Sequence, residues 1–345
     1  MKILLVRLRE IGDVVFTTPA VHALRSHFPT AHLTYIVEPA AEPVVRHNPH
    51  IDELVIAPRA RGIRGLLADL ALGRRLRAGR YDLAIDFHGG PRASLITWLS
   101  GAPRRVGYAI GGRAWMYTDR VARPRALRAR HSVENQWDLL APLGIDAPDR
   151  AAFPVEMRAD ADAARDVDAR LAHAGVTAAH RIVVMHVSAG NPFRRWPLEH
   201  FVVVAHALAS RDPRRRIVVT SGPSEREAAA HVVSATNAVA CGDFSLAELR
   251  ALLDRAALYI GGDSGPLHIA ATTSVPIVGL YGPTLPERSA PWRDPQIATA
   301  SIDVGALPCR PCDQRVCAPG DFRCLTGIQP QQVIDAAEQL LTGPC

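Results

Sequence analysis

Lysine is all but absent: Lys2 stands alone, and arginine supplies 39 of the 40 basic residues. So lopsided a usage weakens any argument from arginine count by itself. A formal net charge of +6 still favours polyanionic partners such as nucleic acid, an anionic membrane face or a phosphorylated substrate. Aromatic residues make up only 6% and do not interleave with the arginines, and zinc-finger and RNP spacings are missing, which sets nucleic acid aside. Neither G-x-x-x-x-G-K-[ST] nor G-x-G-x-x-G occurs, so there is no ATPase P-loop and no dinucleotide fingerprint. The opening MKILLVRLRE has a four-residue apolar run before Arg7, too short for a signal peptide. The longest charge-free stretch, Ser264 to Pro286, is broken by Pro266, Pro276, Pro283 and Pro286 and reads as loops and a strand. A cytoplasmic protein without a transmembrane segment is the expectation.

What is present is a globular balance of 48% hydrophobic and 21% charged residues over 345 positions, enough for two domains of about 150 residues. Short apolar runs at Lys2–Arg7, His32–Val37, Glu53–Ala57, Asp82–Phe87 and Arg105–Tyr108 read as parallel strands. Helical stretches at Pro19–His27, Ala40–His47 and Gly65–Ala78 lie between them. A second series follows, with strands at Arg181–Val187, Arg216–Ser221, Ala238–Cys241, Leu258–Gly261 and Val275–Tyr281. Its helices are expected at Leu198–Ser210, Ser224–Ser234, Leu246–Ala256 and Pro266–Thr273. The fold class is therefore α/β, with two Rossmann-like doubly wound domains facing across a cleft. The expected divisions are 1–150, a connection and entry helix over 151–175, a second domain over 176–329, and a helix and tail over 330–345.

Two segments carry candidate chemistry. Leu258-Tyr-Ile-Gly-Gly-Asp-Ser-Gly-Pro-Leu-His268 runs from a buried strand through a glycine turn into a helix with proline in its first turn. Free N–H groups there suit an anion, Ser264 could cap the helix or bond a phosphate oxygen, and His268 lies one turn in. Near the start, Asp13 follows Gly12 beyond the first strand, where a carboxylate could act as general base. Taken singly, the first reads as well as a capped helix with a buried histidine, and Asp13 reads first as the cap of a turn.

Together with Phe193-Arg194-Arg195-Trp196-Pro197, and with V-x-L-Y-G-P-T after D-S-G-P-x-H-I-A-A, these segments resemble the ADP-heptose heptosyltransferases of lipopolysaccharide core synthesis. The resemblance covers nearly the whole chain. It implies a GT-B fold, a donor domain at the C-terminal side, and inversion at the anomeric carbon without a covalent intermediate. On that basis Asp13 is the base, and Asp263, Ser264, Gly265 and His268 hold the donor sugar and diphosphate. Arg194 stands where the family usually has a phosphate-binding lysine, with Arg195 as the alternative, and Glu225 holds the ribose hydroxyls.

The implied partners are ADP-heptose and an anionic lipopolysaccharide core acceptor at the inner face of the membrane, with the protein peripheral there. Acceptor contacts fall to one or two of eight arginines, Arg104, Arg105, Arg113, Arg120, Arg123, Arg125, Arg128 and Arg130, foremost Arg104, Arg105 and Arg130. No cofactor is needed for catalysis. Cys309, Cys312, Cys317 and Cys324 leave open a structural zinc or a reduced or partly disulfide-bonded loop. A sugar-nucleotide epimerase of the same fold, or a transferase of another sugar, is the alternative. Asp160-Ala-Asp162 and Asp166-Val-Asp168 spell a GT-A metal motif but fall in an alanine-rich helix, where they read as a solvated face.

Overall fold

Ile3, Leu4, Leu5 and Val6 are all wholly buried, the signature of a central parallel strand with helices on both faces. They belong to β1 (Lys2–Val6) of the computed structural model, which describes residues 1–59, 62–123 and 130–343. The chain divides into two units, Met1–Arg158 and Ala159–Cys345.

In the first unit β1 is followed by α1 (Ile11–Val15), α2 (Thr18–His27), β2 (His32–Val37), α3 (Glu42–Val45) and β3 (Glu53–Ile56). Then come α4 (Gly62–Ala78), β4 (Leu83–Asp86), α5 (Pro91–Leu99), β5 (Arg104–Tyr108), β6 (Asp119–Val121) and α6 (Ser132–Trp137). All strand pairs are parallel, in the order β3-β2-β1-β4-β5-β6 of a doubly wound sheet. Leu4 and Val6 share a core with Leu72 and Leu76 of α4 and Ala93 and Ile96 of α5. Ile3 and Leu5, alternate residues on the pleat, point to the opposite face.

The second unit runs α7 (Ala161–His173), β7 (Arg181–His186), α8 (Leu198–Arg211), β8 (Arg215–Thr220), α9 (Arg226–Ser234), α10 (Leu246–Asp254) and β9 (Ala256–Gly262). It continues with α11 (Gly265–Ala270), β10 (Ile277–Leu280), α12 (Pro286–Ser289), β11 (Thr299–Ile302), α13 (Arg323–Thr326) and α14 (Pro330–Thr342). Its five strands are again all parallel, in the order β11-β10-β9-β7-β8. Val333, Ile334, Ala337 and Leu341 of α14 enter the same core as Val183, Met185, Leu258 and Ile260.

Several elements differ from the sequence reading. The strand expected over Ala238–Cys241 reduces to one parallel bridge, Val218 with Val239, and Gly242 turns the chain away at φ 79°. The helix expected to Ala256 stops at Asp254, because Ala256 already opens β9. The helix after Asp263 ends at Ala270, three residues early. The helix expected over Ala40–His47 splits into a 3-10 turn, Pro39–Ala41, and the short α3. No helix among the described residues is long and apolar enough to cross a membrane.

Candidate functional site

In each unit the strand order reverses direction at one place, between β1 and β4 and between β7 and β9. Open α/β sheets bind ligands past the carboxyl ends of the strands at such a reversal. Asp13 follows β1, and Asp263 follows β9. Both therefore stand where the topology opens a crevice.

In the second unit, the turn after β9 and the loop after β7 approach closely. A Cβ on Gly262 would lie 3.2 Å from the Arg194 carbonyl oxygen, so glycine is what fits. Asp263 is buried, accepts from the Thr284 hydroxyl at 2.6 Å, and has Arg194 Nη1 3.4 Å from the same oxygen. That guanidinium also donates to the Asp263 carbonyl at 3.0 Å and, through Nε, to Gln314 Oε1 at 2.7 Å. His268 Nε2 stands 3.4 Å from the other carboxylate oxygen, an ion-pair distance. Burial alone would push the Asp263 carboxyl up. His268, Arg194 and Thr284 outweigh it and hold the group at about 2. Asp263 is thus a permanent anion that orients Arg194 and His268, not a proton carrier near neutrality. Ser264 is the N-cap residue of α11, yet its hydroxyl donates to the Gly262 carbonyl at 3.3 Å and makes no cap bond. With only six residues, α11 has little macrodipole, so attraction for an anion here rests on Arg194 and the N–H groups of the turn.

Arg195 turns to different partners. Its Nε donates to the Ala189 carbonyl at 2.8 Å and its Nη2 to Glu225 Oε1 at 3.0 Å, an oxygen that also accepts from Ser224 at 2.6 Å. The two adjacent arginines therefore serve two carboxylates, Arg194 beside Asp263 and Arg195 beside Glu225. Behind them His186 Nδ1 meets Thr220 Oγ1 at 3.0 Å and Nε2 meets Ser188 Oγ at 3.2 Å, while Ser188 accepts from Gly222 N–H at 2.8 Å. Burial lowers His186 to about 4, so this imidazole is neutral. Sequence reasoning missed His186, Ser188, Thr284 and Gln314. Only the polar end of the apolar run RIVVMH marked the first of them.

In the first unit Asp13, on α1, forms an ion pair with the buried Arg7, which also donates to the Phe87 carbonyl at 2.6 Å. At the end of β4, the wholly buried Asp86 accepts from Tyr117 Oη at 2.6 Å and from the His88 and Gly89 N–H groups at 2.8 and 2.9 Å. Burial raises the Asp86 carboxyl, and burial together with nearby Arg7 brings His88 down to about 4. Arg113 donates to the Gly89 carbonyl at 3.1 Å, and the Arg123 guanidinium lies 5.5 Å from the centre of the Tyr108 ring, at the carboxyl end of β5. Arg130 makes a two-pronged pair with Asp138 at 2.7 Å on each arm. Arg104 and Arg105 are not brought to Asp13. They open β5 in register with Leu83 and Ala84, at the opposite edge of the sheet. There Arg104 holds Asp119 and the Pro142 carbonyl, and Arg105 the Met116 and Ala102 carbonyls. Arg120 donates to the Tyr117 carbonyl at 3.4 Å; Arg125 and Arg128 lie outside the described residues.

Cys309, Cys312 and Cys317, in the loop after β11, and Cys324, on α13, are free, half-buried thiols. Burial, then the other three thiols, raise Cys324. Among the described residues the group with metal-ligand spacing is a different one: His22, His50 and Glu156, with ligand atoms within 4.8 Å of one another. The two rings are stacked, centroids 4.1 Å apart at 14°, so their lone pairs lie in separate, nearly parallel planes that do not meet at one ion. Glu156 Oε1 lies 3.0 Å from His22 Nδ1 and Oε2 3.3 Å from His50 Nε2, a clasp of the segment before Arg158 onto α2.

The profile of glycosyltransferase family 9 (heptosyltransferase) matches residues 70–318. The chain belongs to that family. Lipopolysaccharide heptosyltransferase 3 of Escherichia coli is 28% identical to it, over 97% of both chains. A family 9 glycosyltransferase structure from Veillonella parvula superposes with a TM-score of 0.89 at 26% identity, over 99% of this chain and 98% of the other. The E. coli ADP-heptose lipopolysaccharide heptosyltransferase II structure, 20% identical with TM-score 0.79 over 99% and 98%, shares the fold. This is a glycosyltransferase built on two parallel α/β sheets, the GT-B architecture.

Proposed function

We propose that this glycosyltransferase moves a heptose from ADP-heptose to a sugar of the lipopolysaccharide core, with inversion at the anomeric carbon. The family membership carries the reading, with relatives named as lipopolysaccharide heptosyltransferases along essentially the whole chain. The first unit takes the acceptor and the second the donor.

An inverting displacement needs a base at the acceptor oxygen and positive charge at the departing diphosphate. Asp13 is the base in this reading. The buried Arg7 guanidinium pairs with this carboxylate and steers it. Arg194 and the turn Asp263–Gly265 receive the diphosphate, with Ser264 free to exchange its weak 3.3 Å bond for a phosphate oxygen. His268, held by Asp263, lies beside them. Glu225, oriented by Arg195 and Ser224, accepts from the ribose hydroxyls. Charge on the leaving group is met by side chains, so the reaction calls for no cofactor. Arg113, Arg123 and Arg130, at the carboxyl end of β5, are better placed than Arg104 and Arg105 to meet an anionic acceptor. The protein would work at the cytoplasmic face of the membrane that carries the acceptor.

The test is ADP release from ADP-heptose with and without a heptose-deficient core acceptor. Acceptor-dependent release supports the reading. A donor sugar altered without any acceptor would mark an epimerase instead.

A further inference from the structure

Ten large apolar side chains stand exposed among the described residues, and six of them lie on one helical layer of the first unit. They are Ile63, Leu66, Leu67 and Leu70 of α4, Trp98 of α5, and Trp115 of the turn after β5. Helix α4 buries one stripe, Gly65, Asp69, Leu72, Gly73 and Leu76. At about 100° per residue, Ile63, Leu66, Leu67 and Leu70 form a second stripe on the outer side. Ile63 is 79% exposed and Leu67 60%, so none of the described residues covers this stripe. Helices α4 and α5 touch where Gly73 meets Leu99, and on the α5 side the Trp98 and Trp115 rings lie 5.6 Å apart, edge to face.

The charge that α4 itself exposes is basic. Arg64, Arg74, Arg75 and Arg77 are exposed on it, of which Arg75 pairs with Glu53 at 3.2 Å, and its one acid, Asp69, is buried and held by Arg92 at 2.8–3.0 Å. Scattered exposed leucines need no explanation, whereas a clustered apolar stripe between arginines, with paired tryptophans beside it, fits a membrane interface. A second copy of the chain is a poor occupant, because a self-complementary contact would set one row of arginines against another.

We propose that the outer face of α4 with Trp98 and Trp115 is an interfacial membrane surface. The apolar stripe and the indoles enter the headgroup–acyl boundary of an anionic bilayer, and the arginines meet the lipid phosphates. The proposal rests on the reading that the acceptor is carried by a membrane, and it gives the enzyme a way to stay beside that acceptor through successive encounters.

Vesicle co-sedimentation of the full chain tests it, using phosphatidylcholine vesicles with and without a third of phosphatidylglycerol. The wild type should bind the anionic vesicles, less so at high salt, and bind neutral vesicles poorly. Leu66→Gln/Leu67→Gln should weaken binding on the order of tenfold or more, given what burial of two leucines contributes. Arg64→Glu/Arg74→Glu should abolish the preference for anionic lipid. Val203→Gln, an exposed apolar site in the second unit, should change nothing. No vesicle binding by the wild type overturns the proposal, as does binding that survives both α4 variants. A concentration-dependent dimer that the leucine pair alone dissolves would overturn it in favour of self-association. Transfer to a water-soluble core oligosaccharide, measured alongside, separates the two levels. If vesicles are not bound while transfer persists, the surface is wrong and the activity stands; if transfer fails while vesicles are bound, the reverse holds.

Discussion

Replacing Arg194 by alanine separates the two adjacent arginines, because they serve different carboxylates. The Arg194 guanidinium is 30% exposed, donates to Gln314 and to the Asp263 carbonyl, and stands 3.4 Å from the Asp263 carboxylate. A diphosphate placed at the Ser264 turn would gain charge-assisted hydrogen bonds from it, worth about 1.5–3 kcal/mol in a partly desolvated setting. That energy is about a 10- to 150-fold loss of ADP affinity in Arg194→Ala. Arg194→Lys should fall between, since it keeps the charge and loses the planar fork. Thr284 and His268 still engage Asp263 in these variants, so the loop should stay folded and the comparison remain clean. Calorimetric titration of ADP into wild type, both variants and Arg195→Ala is the assay. Arg195→Ala should act through Glu225 and hence on the ribose end of the nucleotide. If Arg194→Ala binds ADP within about twofold of wild type while Arg195→Ala does not, the assignment of the diphosphate to Arg194 is refuted.

Asp13→Asn should lower transfer on the order of 100- to 10,000-fold and leave ADP affinity within a few-fold; near-wild-type turnover in a core-acceptor assay would remove Asp13 as the base. His186, held at about 4 when folded against roughly 6.5 when unfolded, contributes nothing above that upper value and destabilises progressively as pH falls towards 4, by about 3 kcal/mol in all. His186→Asn should therefore flatten the loss of urea stability between pH 7 and 4.5, and an unchanged slope would show another group to be responsible. Asp263 does not confuse that window, since the stability from its depressed carboxyl is present above its unfolded value near 4 and is lost only as pH falls from there towards 2. Serine at Cys309, Cys312, Cys317 and Cys324 together should lower the melting temperature with specific activity of the folded fraction near normal, and a fully stable but inactive variant would make the loop part of the active site.

The strands were legible because their chemistry is local. Buried parallel strands such as His32–Val37 are continuous apolar runs, and both their ends could be read directly. What escaped reading was set by tertiary contact. Asp119–Val121 and Thr299–Ile302 are edge strands, half-exposed and polar, with no run of hydrophobic residues to announce them. Ala238–Cys241 has the apolar composition of a strand, but only Val239 reaches a partner before Gly242 turns the chain. Composition measures a residue's taste for burial, and pairing at a sheet edge is decided by where the chain goes next.

The candidate site divides along the same line. Asp13 and the Asp263–His268 turn were legible because each follows a strand at a glycine-bearing turn, and the topology places both at the reversals of their sheets. The arginines were not legible as a set, because charge is equal in sequence and unequal in space. Arg104 and Arg105 differ from Tyr108 by only a few positions along one strand, yet a strand carries its two ends to opposite edges of the sheet. A basic side chain at the start of the strand is thereby committed to structural partners such as Asp119, and one beyond its end, such as Arg113, meets the crevice beside His88 and Asp13. Position relative to the carboxyl end of a strand therefore sorts acceptor candidates from structural arginines where residue type cannot. Applied to the second unit, the same rule singles out Arg194 and Arg195, which follow β7, and passes over Arg181 at its start, whose guanidinium donates to the Leu341 carbonyl at 2.8 Å in α14.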